Sequence, residues 1–514
     1  MTRLLSCVLS AVLLAAADRG APAAASRVVL LSVDAGSDVL LDRLLASGAL
    51  KAGGFARIAA RGLTADSMTP AAVSSTPVSH ATLFAGAWPD RHGITGVAVP
   101  GDDVTGPVQS GFAMGTDVER LWTIAKRAGK RVVCIGVPGA DATRPDNTCT
   151  ETVPFAAIGT PQGAALEADP RSLIARLRLA LGTSPGEPQA RQATQGAISE
   201  DDYVAHANHY ADYVGGAVSE ELARADWDLL IVYLPILDNV LHRYLLRDSR
   251  QAEYRDEEGA RRQRFDGYVQ RAFRKVDALI AGWLEKAPAA TFLLVSDHGM
   301  IPTHSTVLIN NVLAAAGLRV EGADAEVRAL SSGASAQVYV NTRGRFQRGV
   351  VVGEQVIAVV QKAMDALRRV RDPITGMPVF STIARGPQIV ALNLGHRNTG
   401  DVYVSAVPGW GVSGRFDPAV PPIVPNTLSP DVRRRISRSP AEKRFLENGG
   451  LNELSLGIHG HRPDDQRTQA WFMAIGPEVP HRRIGVVHLV DVAPTALRLL
   501  GIEPPRTMSG RPIW

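Results

Sequence analysis

The apolar positions of this chain fall into two alternating patterns. Short aliphatic runs return at Arg27–Val33, Arg131–Val137, Asp228–Leu234, Thr291–Ser296 and Gln469–Ile475. Unbroken runs of this kind predict strands buried on both faces, as in a parallel sheet. Between them, apolar residues recur with helical spacing over Val39–Ala46, Phe55–Arg61, Val118–Ala128, Val204–Arg224 and Val269–Lys286. Strands alternating with helices predict an α/β fold, with a central, mostly parallel sheet between helical layers. Ligands in such folds gather at the carboxyl ends of the strands. From about residue 320 to 430 the pattern changes. Ala336–Val340 and Asp401–Ala406 alternate as half-buried strands, Val356–Arg368 reads as a helix, and Pro and Gly punctuate the rest. Residues 320–430 are therefore expected to form an inserted α+β cap subdomain. The core would comprise residues 26–319 and 431–514, closing with a helix at Leu489–Leu500.

Residues 1–25 read as a secretory signal: Arg3, then the uncharged run Leu4–Ala17, then Ala23-Ala24-Ala25 as a small-residue cleavage site. That run is short for a bilayer span, which takes about 20 residues. The expected protein is exported, to the periplasm or beyond the cell, with no transmembrane segment in the mature chain. Removal of the leader takes away Cys7 and leaves Cys134 and Cys149, a pair that can be bridged or free. A bridge closing a loop of about 15 residues would contribute on the order of 3 kcal/mol.

Composition narrows the class further. Across 514 residues, 45% are hydrophobic and 21% charged, which excludes global disorder and fibrous folds. Lys and Arg total 55 against 51 acidic residues, a net +4. So small an excess, with no basic aromatic groove, gives no expectation of nucleic-acid duplex binding. The sequence does not read out an oligomeric state.

Five segments carry candidate chemistry. Asp34 stands where the first strand runs out, a place also suited to an Asp that merely caps a turn. In Ser75-Thr76-Pro77, Pro77 suits the first helical position, which would make Thr76 the N-cap. A hydroxyl there faces free backbone N–H groups and the positive end of the helix dipole, which favours an alkoxide and a neighbouring anionic phosphate. Ser75 is the rival nucleophile. Asp238 and His242 are four apart and share one face of a helix, where they can grip an ion or form a plain surface pair. Asp297-His298-Gly299 ends another buried strand, and carboxylate oxygen with imidazole nitrogen suits Zn²⁺. Gly457-Ile458-His459-Gly460-His461 offers His459, with His461 as the competing ligand. Three carboxylates and one alkoxide would balance two divalent cations, leaving room for an anionic substrate. Two such ions can activate a nucleophile and polarise a phosphoryl oxygen.

Val29-Leu-Leu-Ser-Val-Asp34, Thr76-x-x-x-His80, Trp88-Pro-Asp-Arg-His92-Gly-Ile, Asp238-x-x-x-His242, Asp297-His298-Gly-Met and Gly-Ile-His459-Gly, in this order, resemble the alkaline phosphatase superfamily. Within it the resemblance is to the type I phosphodiesterase/nucleotide pyrophosphatase family, and it runs from about residue 27 to 475. It implies that one Zn²⁺ is held by Asp34, Thr76, Asp297 and His298, and the other by Asp238, His242 and His459, with Mn²⁺ as the alternative metal. It also implies in-line attack by Thr76, a phospho-threonine intermediate, and a small phosphate-ester or nucleotide substrate. One departure stands out. Where nucleotide-cleaving members carry an Asn after His-Gly-Ile, this chain has Val97, which has no side-chain donor. Two other readings stay open: a phosphomonoesterase or phosphonate hydrolase of the same superfamily, and a metal-bound binding protein without catalysis. A sulfatase reading fails because Ser79 stands where its Cys/Ser-x-Pro-x-Arg run requires Arg.

Overall fold

The computed structural model describes residues 27–140, 147–159, 172–254, 259–450 and 452–514; the expected leader, residues 1–25, lies outside them. The first aliphatic run forms strand β1 (Val28–Val33), with every residue buried. It lies inside an eight-stranded sheet. Leu229–Leu234 and Thr291–Val295 flank it, both parallel to it. Val132–Ile135 and Glu151–Val153 extend the sheet in parallel on one side. On the other side Phe472–Ile475 pairs antiparallel with Thr291–Val295, followed by Leu63–Ala65 and Arg482–Ile484. The aliphatic runs thus mark sheet membership, while the one reversed direction has no signature in a run buried on both faces.

Helices cover both faces, giving the three-layer α/β/α arrangement. Alternate residues of β1 show the division. Val29, Leu31 and Val33 join the core under the long helices, with Tyr210, Val214, Phe273 and Val276. Val28 and Leu30 face the opposite core, with Leu83, Phe84, Trp122 and Leu497. Two long helices begin earlier than their apolar spacing predicts, at Glu200 and Ala260. Glu200–Arg224 opens with a capping box between Ser199 and Asp202 and three acidic residues in its first turn. Polar caps of this kind stabilise a helix end without adding to its apolar stripe.

Within the 320–430 stretch, a second sheet of four antiparallel strands takes the order Val327–Ser332, Ser335–Val340, Val402–Ala406, Phe380–Ala384. The helix Gly353–Arg368 covers it, packing Val359, Val360, Met364 and Leu367 with Val338 and Val404. The hairpin turn of this sheet reaches the main sheet's loops. Gly333 has φ +67°, and a Cβ there would lie 2.1 Å from the His459 carbonyl oxygen. Ala334 N–H donates to that same oxygen at 2.8 Å. Only a residue without a side chain lets the hairpin approach so closely.

Cys134 and Cys149 form a disulfide, with Cα atoms 6.0 Å apart. Among the described residues, no helix is long and apolar enough to cross a membrane.

Candidate metal centre

Asp34 continues β1 and is buried, its N–H donating to the Leu234 carbonyl at 3.1 Å. Its Oδ2 accepts from the Tyr233 hydroxyl and from Thr76 Oγ1, the latter at 3.3 Å. Asp297 leaves the neighbouring strand beside it. Asp297 Oδ1 accepts from Ala35 N–H at 3.2 Å and from His298 N–H at 3.0 Å. The two carboxylates are thus aimed by backbone at adjacent strand ends. His298 Nε2 lies 3.1 Å from Asp297 Oδ2, 3.6 Å from Asp34 Oδ1 and 3.5 Å from Thr76 Oγ1. Asp34, Asp297 and His298 bring one ligand atom each within 4.8 Å of one another, and so do Asp238, His242 and His459.

The second group is built by a helix and a loop. On the helix Ile236–Tyr244, Asp238 Oδ1 and His242 Nε2 are 3.2 Å apart. His459 Nε2 is 3.8 Å from the same Asp238 oxygen. The His298 and His459 rings stack with centroids 4.0 Å apart, so the two groups adjoin. His461, the competing candidate, stands outside both groups.

The tautomers follow from the backbone. Nδ1 of His242, His298 and His459 contacts the carbonyl oxygens of Gly457 (2.8 Å), Gly299 (3.2 Å) and Ser74 (3.0 Å). A carbonyl only accepts, so each Nδ1 carries the proton and each Nε2 presents a lone pair to the site. Burial first, then the neighbouring His242, brings the His459 imidazole down to about 3. Burial likewise pulls His298 well down. For His242 burial acts downward, but Asp238 outweighs it and the net shift is upward. Burial, then Asp238, raises Asp34 to about 7, and burial, then Asp34, raises Asp297 well above the usual carboxylate range.

This donor set fits divalent cations. Asp34 Oδ1, Asp297 Oδ2, Asp238 Oδ1 and His242 Nε2 are buried without a hydrogen-bond partner. Unpartnered carboxylate oxygens cost several kcal/mol each unless a cation meets them. Mixed carboxylate and imidazole donors in threes suit a divalent cation.

Thr76 differs from expectation by one position. The helix runs Thr76–Ala85 with Ser75 as its N-cap, so Thr76 is the first helical residue. The Ser75 hydroxyl makes no capping bond, and its Oγ is buried without a partner. The Thr76 hydroxyl still stands at the helix N-terminus and faces Asp34 and His298. Its carbonyl contacts His80 Nδ1 at 2.8 Å, and His80 Nε2 contacts Ser32 Oγ at 2.9 Å, which ties the first turn to β1. Val97 lines a cavity of about 410 Å³ together with His242 and His459, and its N–H donates to Ser332 Oγ at 3.0 Å.

Two positions escape sequence reasoning. Tyr233 holds Asp34, yet in the sequence it is one more residue of a buried strand. Glu187 lines a second cavity, of about 390 Å³, with Asp238 and His242, and nothing in its Pro- and Gly-rich surroundings marks it.

The family model for type I phosphodiesterase/nucleotide pyrophosphatase matches residues 28–431. No curated protein sequence matches the chain. Among solved structures, murine ectonucleotide pyrophosphatase/phosphodiesterase 5 is similar over 93% of this chain and 95% of its own, with a TM-score of 0.56 at 15% identity. Its inactive form in complex with AMP aligns over the same shares, with a TM-score of 0.56 at 14% identity. The human counterpart aligns over 93% of this chain and 96% of its own, with a TM-score of 0.55 at 14% identity.

Proposed function

The chain belongs to the type I phosphodiesterase/nucleotide pyrophosphatase family and is a metal-dependent hydrolase of phosphoric esters, and from that premise we propose that it cleaves phosphodiesters or nucleotide pyrophosphates through a phospho-threonine at Thr76. Asp34, Thr76, Asp297 and His298 would hold one Zn²⁺, and Asp238, His242 and His459 the other, with Mn²⁺ as the alternative. When bound, the two ions would supply Lewis acidity that lowers the hydroxyl pKa and offsets charge on the phosphoryl oxygens.

The chain's own groups do the rest. Thr76 Oγ1 donates toward Asp34 Oδ2 and lies beside His298 Nε2, which holds the hydroxyl at the edge of the first residue group. It attacks phosphorus opposite the leaving oxygen; the Thr76 O–P bond forms as the bond to the leaving alcohol or phosphate breaks. Water then attacks the phospho-threonine from the opposite side and frees the Thr76 hydroxyl. The helix N-terminus beneath Thr76 favours the anionic phosphate throughout.

The observation that carries this reading is the position of Thr76 Oγ1, 3.3 Å from Asp34 and 3.5 Å from His298, where the two groups adjoin. A binding protein without catalysis need not keep a hydroxyl there. A diester is favoured over a monoester because cavities open on two sides of His242, one past Glu187 and one past Val97. Leu330, Ser331, Ser413 and Arg415 line the second, which supports reading residues 320–430 as a cap that shapes the substrate site. The buried disulfide supports export to an oxidising compartment, as the leader predicts.

Thr76→Ala should abolish turnover of bis(4-nitrophenyl) phosphate while both metals remain bound, measured by metal analysis of the purified variant. Surviving activity would move the nucleophile to Ser75 or to water. Faster cleavage of 4-nitrophenyl phosphate than of the diester would favour the monoesterase reading.

A further inference from the structure

The cavity of about 410 Å³ past Val97 opens onto His242 and His459, and its wall carries a hydroxyl that the proposed mechanism does not use. Ser331 stands near the end of the strand Val327–Ser332, just before the hairpin turn of the second sheet. That turn is pressed onto the loop of His459. A Cβ at Gly460, where φ is +95°, would collide with the Ser332 carbonyl oxygen. From the other side, Val97 N–H donates to Ser332 Oγ at 3.0 Å. Backbone contacts on both sides thus fix where Ser331 meets the cavity.

Ser331 Oγ accepts from Gly414 N–H at 3.1 Å and from Asn452 Nδ2 at 3.5 Å. Asn452 is anchored in turn, its Nδ2 donating to the Val412 carbonyl at 2.6 Å. A hydroxyl has two lone pairs and one proton. With both lone pairs turned to N–H groups, the proton points away from them, and it meets no acceptor among the described residues. Glu453, the carboxylate on the same wall, is engaged elsewhere: its Oε2 accepts from Gly450 N–H at 2.8 Å and lies 3.6 Å from Arg415. The Val97 side chain offers no donor. Phosphoryl transfer spreads negative charge over the non-bridging oxygens, and a donor held in place beforehand needs no reorganisation as that charge builds.

We propose that Ser331 is a further catalytic residue, brought to the site by the 320–430 stretch, whose hydroxyl donates to a non-bridging phosphoryl oxygen of the substrate in the transition state. The inference rests on the phosphodiesterase reading, and the experiment separates the two. With the full-length, metal-loaded enzyme and bis(4-nitrophenyl) phosphate, Ser331→Ala should lower kcat about a hundredfold and leave KM within about threefold, with bound metal unchanged. Ser331→Thr, which keeps the hydroxyl, should recover part of the loss. Orthovanadate adopts the five-coordinate shape of the transition state, so its inhibition should weaken in Ser331→Ala far more than that of inorganic phosphate. A packing role would not separate the two anions. A kcat within about twofold of wild type, a rise in KM alone, or equal weakening of both anions would overturn the inference and leave the phosphodiesterase reading intact. Loss of bound metal in Ser331→Ala would overturn it too, by making Ser331 a support of the metal groups. A wild type that cleaves no diester would sink the phosphodiesterase reading. The inference would then be judged by calorimetry, where the metal-loaded wild type should bind orthovanadate roughly tenfold or more tightly than Ser331→Ala and equal binding would overturn it. If Ser331→Ala does not fold, Ser331→Cys, which fills the same space with a weak donor, takes its place with the same expected outcomes.

Discussion

Tyr233→Phe isolates a single hydrogen bond at the proposed metal centre. The Tyr233 hydroxyl donates to Asp34 Oδ2, an oxygen whose other donor is Thr76 Oγ1 at 3.3 Å. Phe fills the same space, so the edge contacts of the ring with His80 at 5.2 Å and with Phe155 at 5.7 Å persist and no cavity opens. Tyr233 is 5% exposed and Asp34 1%, so water does not readily replace the lost donor. A hydrogen bond to a charged acceptor is worth about 1.5–3 kcal/mol, and loss of an orienting partner typically weakens metal binding ten- to hundredfold. The two figures agree, so a loss of roughly ten- to hundredfold in affinity is expected for one of the two metals only. Competition against a chelator of known affinity measures it, with kcat/KM on bis(4-nitrophenyl) phosphate falling in step at limiting metal. If both metals bind within twofold of wild type, Asp34 is not held by Tyr233 in the way described, or is not a ligand.

Chelation should lower thermal stability as well as activity. A ligand present at a thousand times its Kd stabilises by about 4 kcal/mol, so an unchanged Tm after dialysis against chelator would argue against both sites. Reduction of Cys134–Cys149, which closes a 15-residue separation, should cost on the order of 3 kcal/mol in the chain-entropy account, read as a lower urea midpoint of the unit containing it. His92 is fully buried, and burial, then Arg120, lowers it from 6.5 to about 3. The unfolded chain therefore takes up a proton between about pH 6.5 and 3 that the folded chain refuses. Stability from this group is present above that window and is lost as pH falls through it. His92→Asn should accordingly show a shallower acid branch in urea midpoints measured from pH 7 to 4; an identical slope would remove His92 from the account.

The sequence by itself determined which residues are candidates for the chemistry. Hydrophobic periodicity identified β1 and its parallel neighbours, because a strand buried on both faces must be apolar at every position. The residues that follow such strands, Asp34 and Asp297, stood out because a carboxylate at the end of an apolar run is expensive without a purpose. The strand Phe472–Ile475 was legible but its reversed direction was not, since strand direction leaves no trace in a run buried on both faces. The helix start at Thr76 was misplaced by one residue because Pro77 is compatible with either of the first two positions. Only the tertiary structure placed His459, and not His461, beside Asp238: the Gly333 hairpin and the Ser74 carbonyl turn the first ring that way, through contacts between residues hundreds of positions apart. Tyr233 and Glu187 came from the structure for the same reason. Local pattern reports what a residue needs to be buried, and distance in space decides what it is buried against.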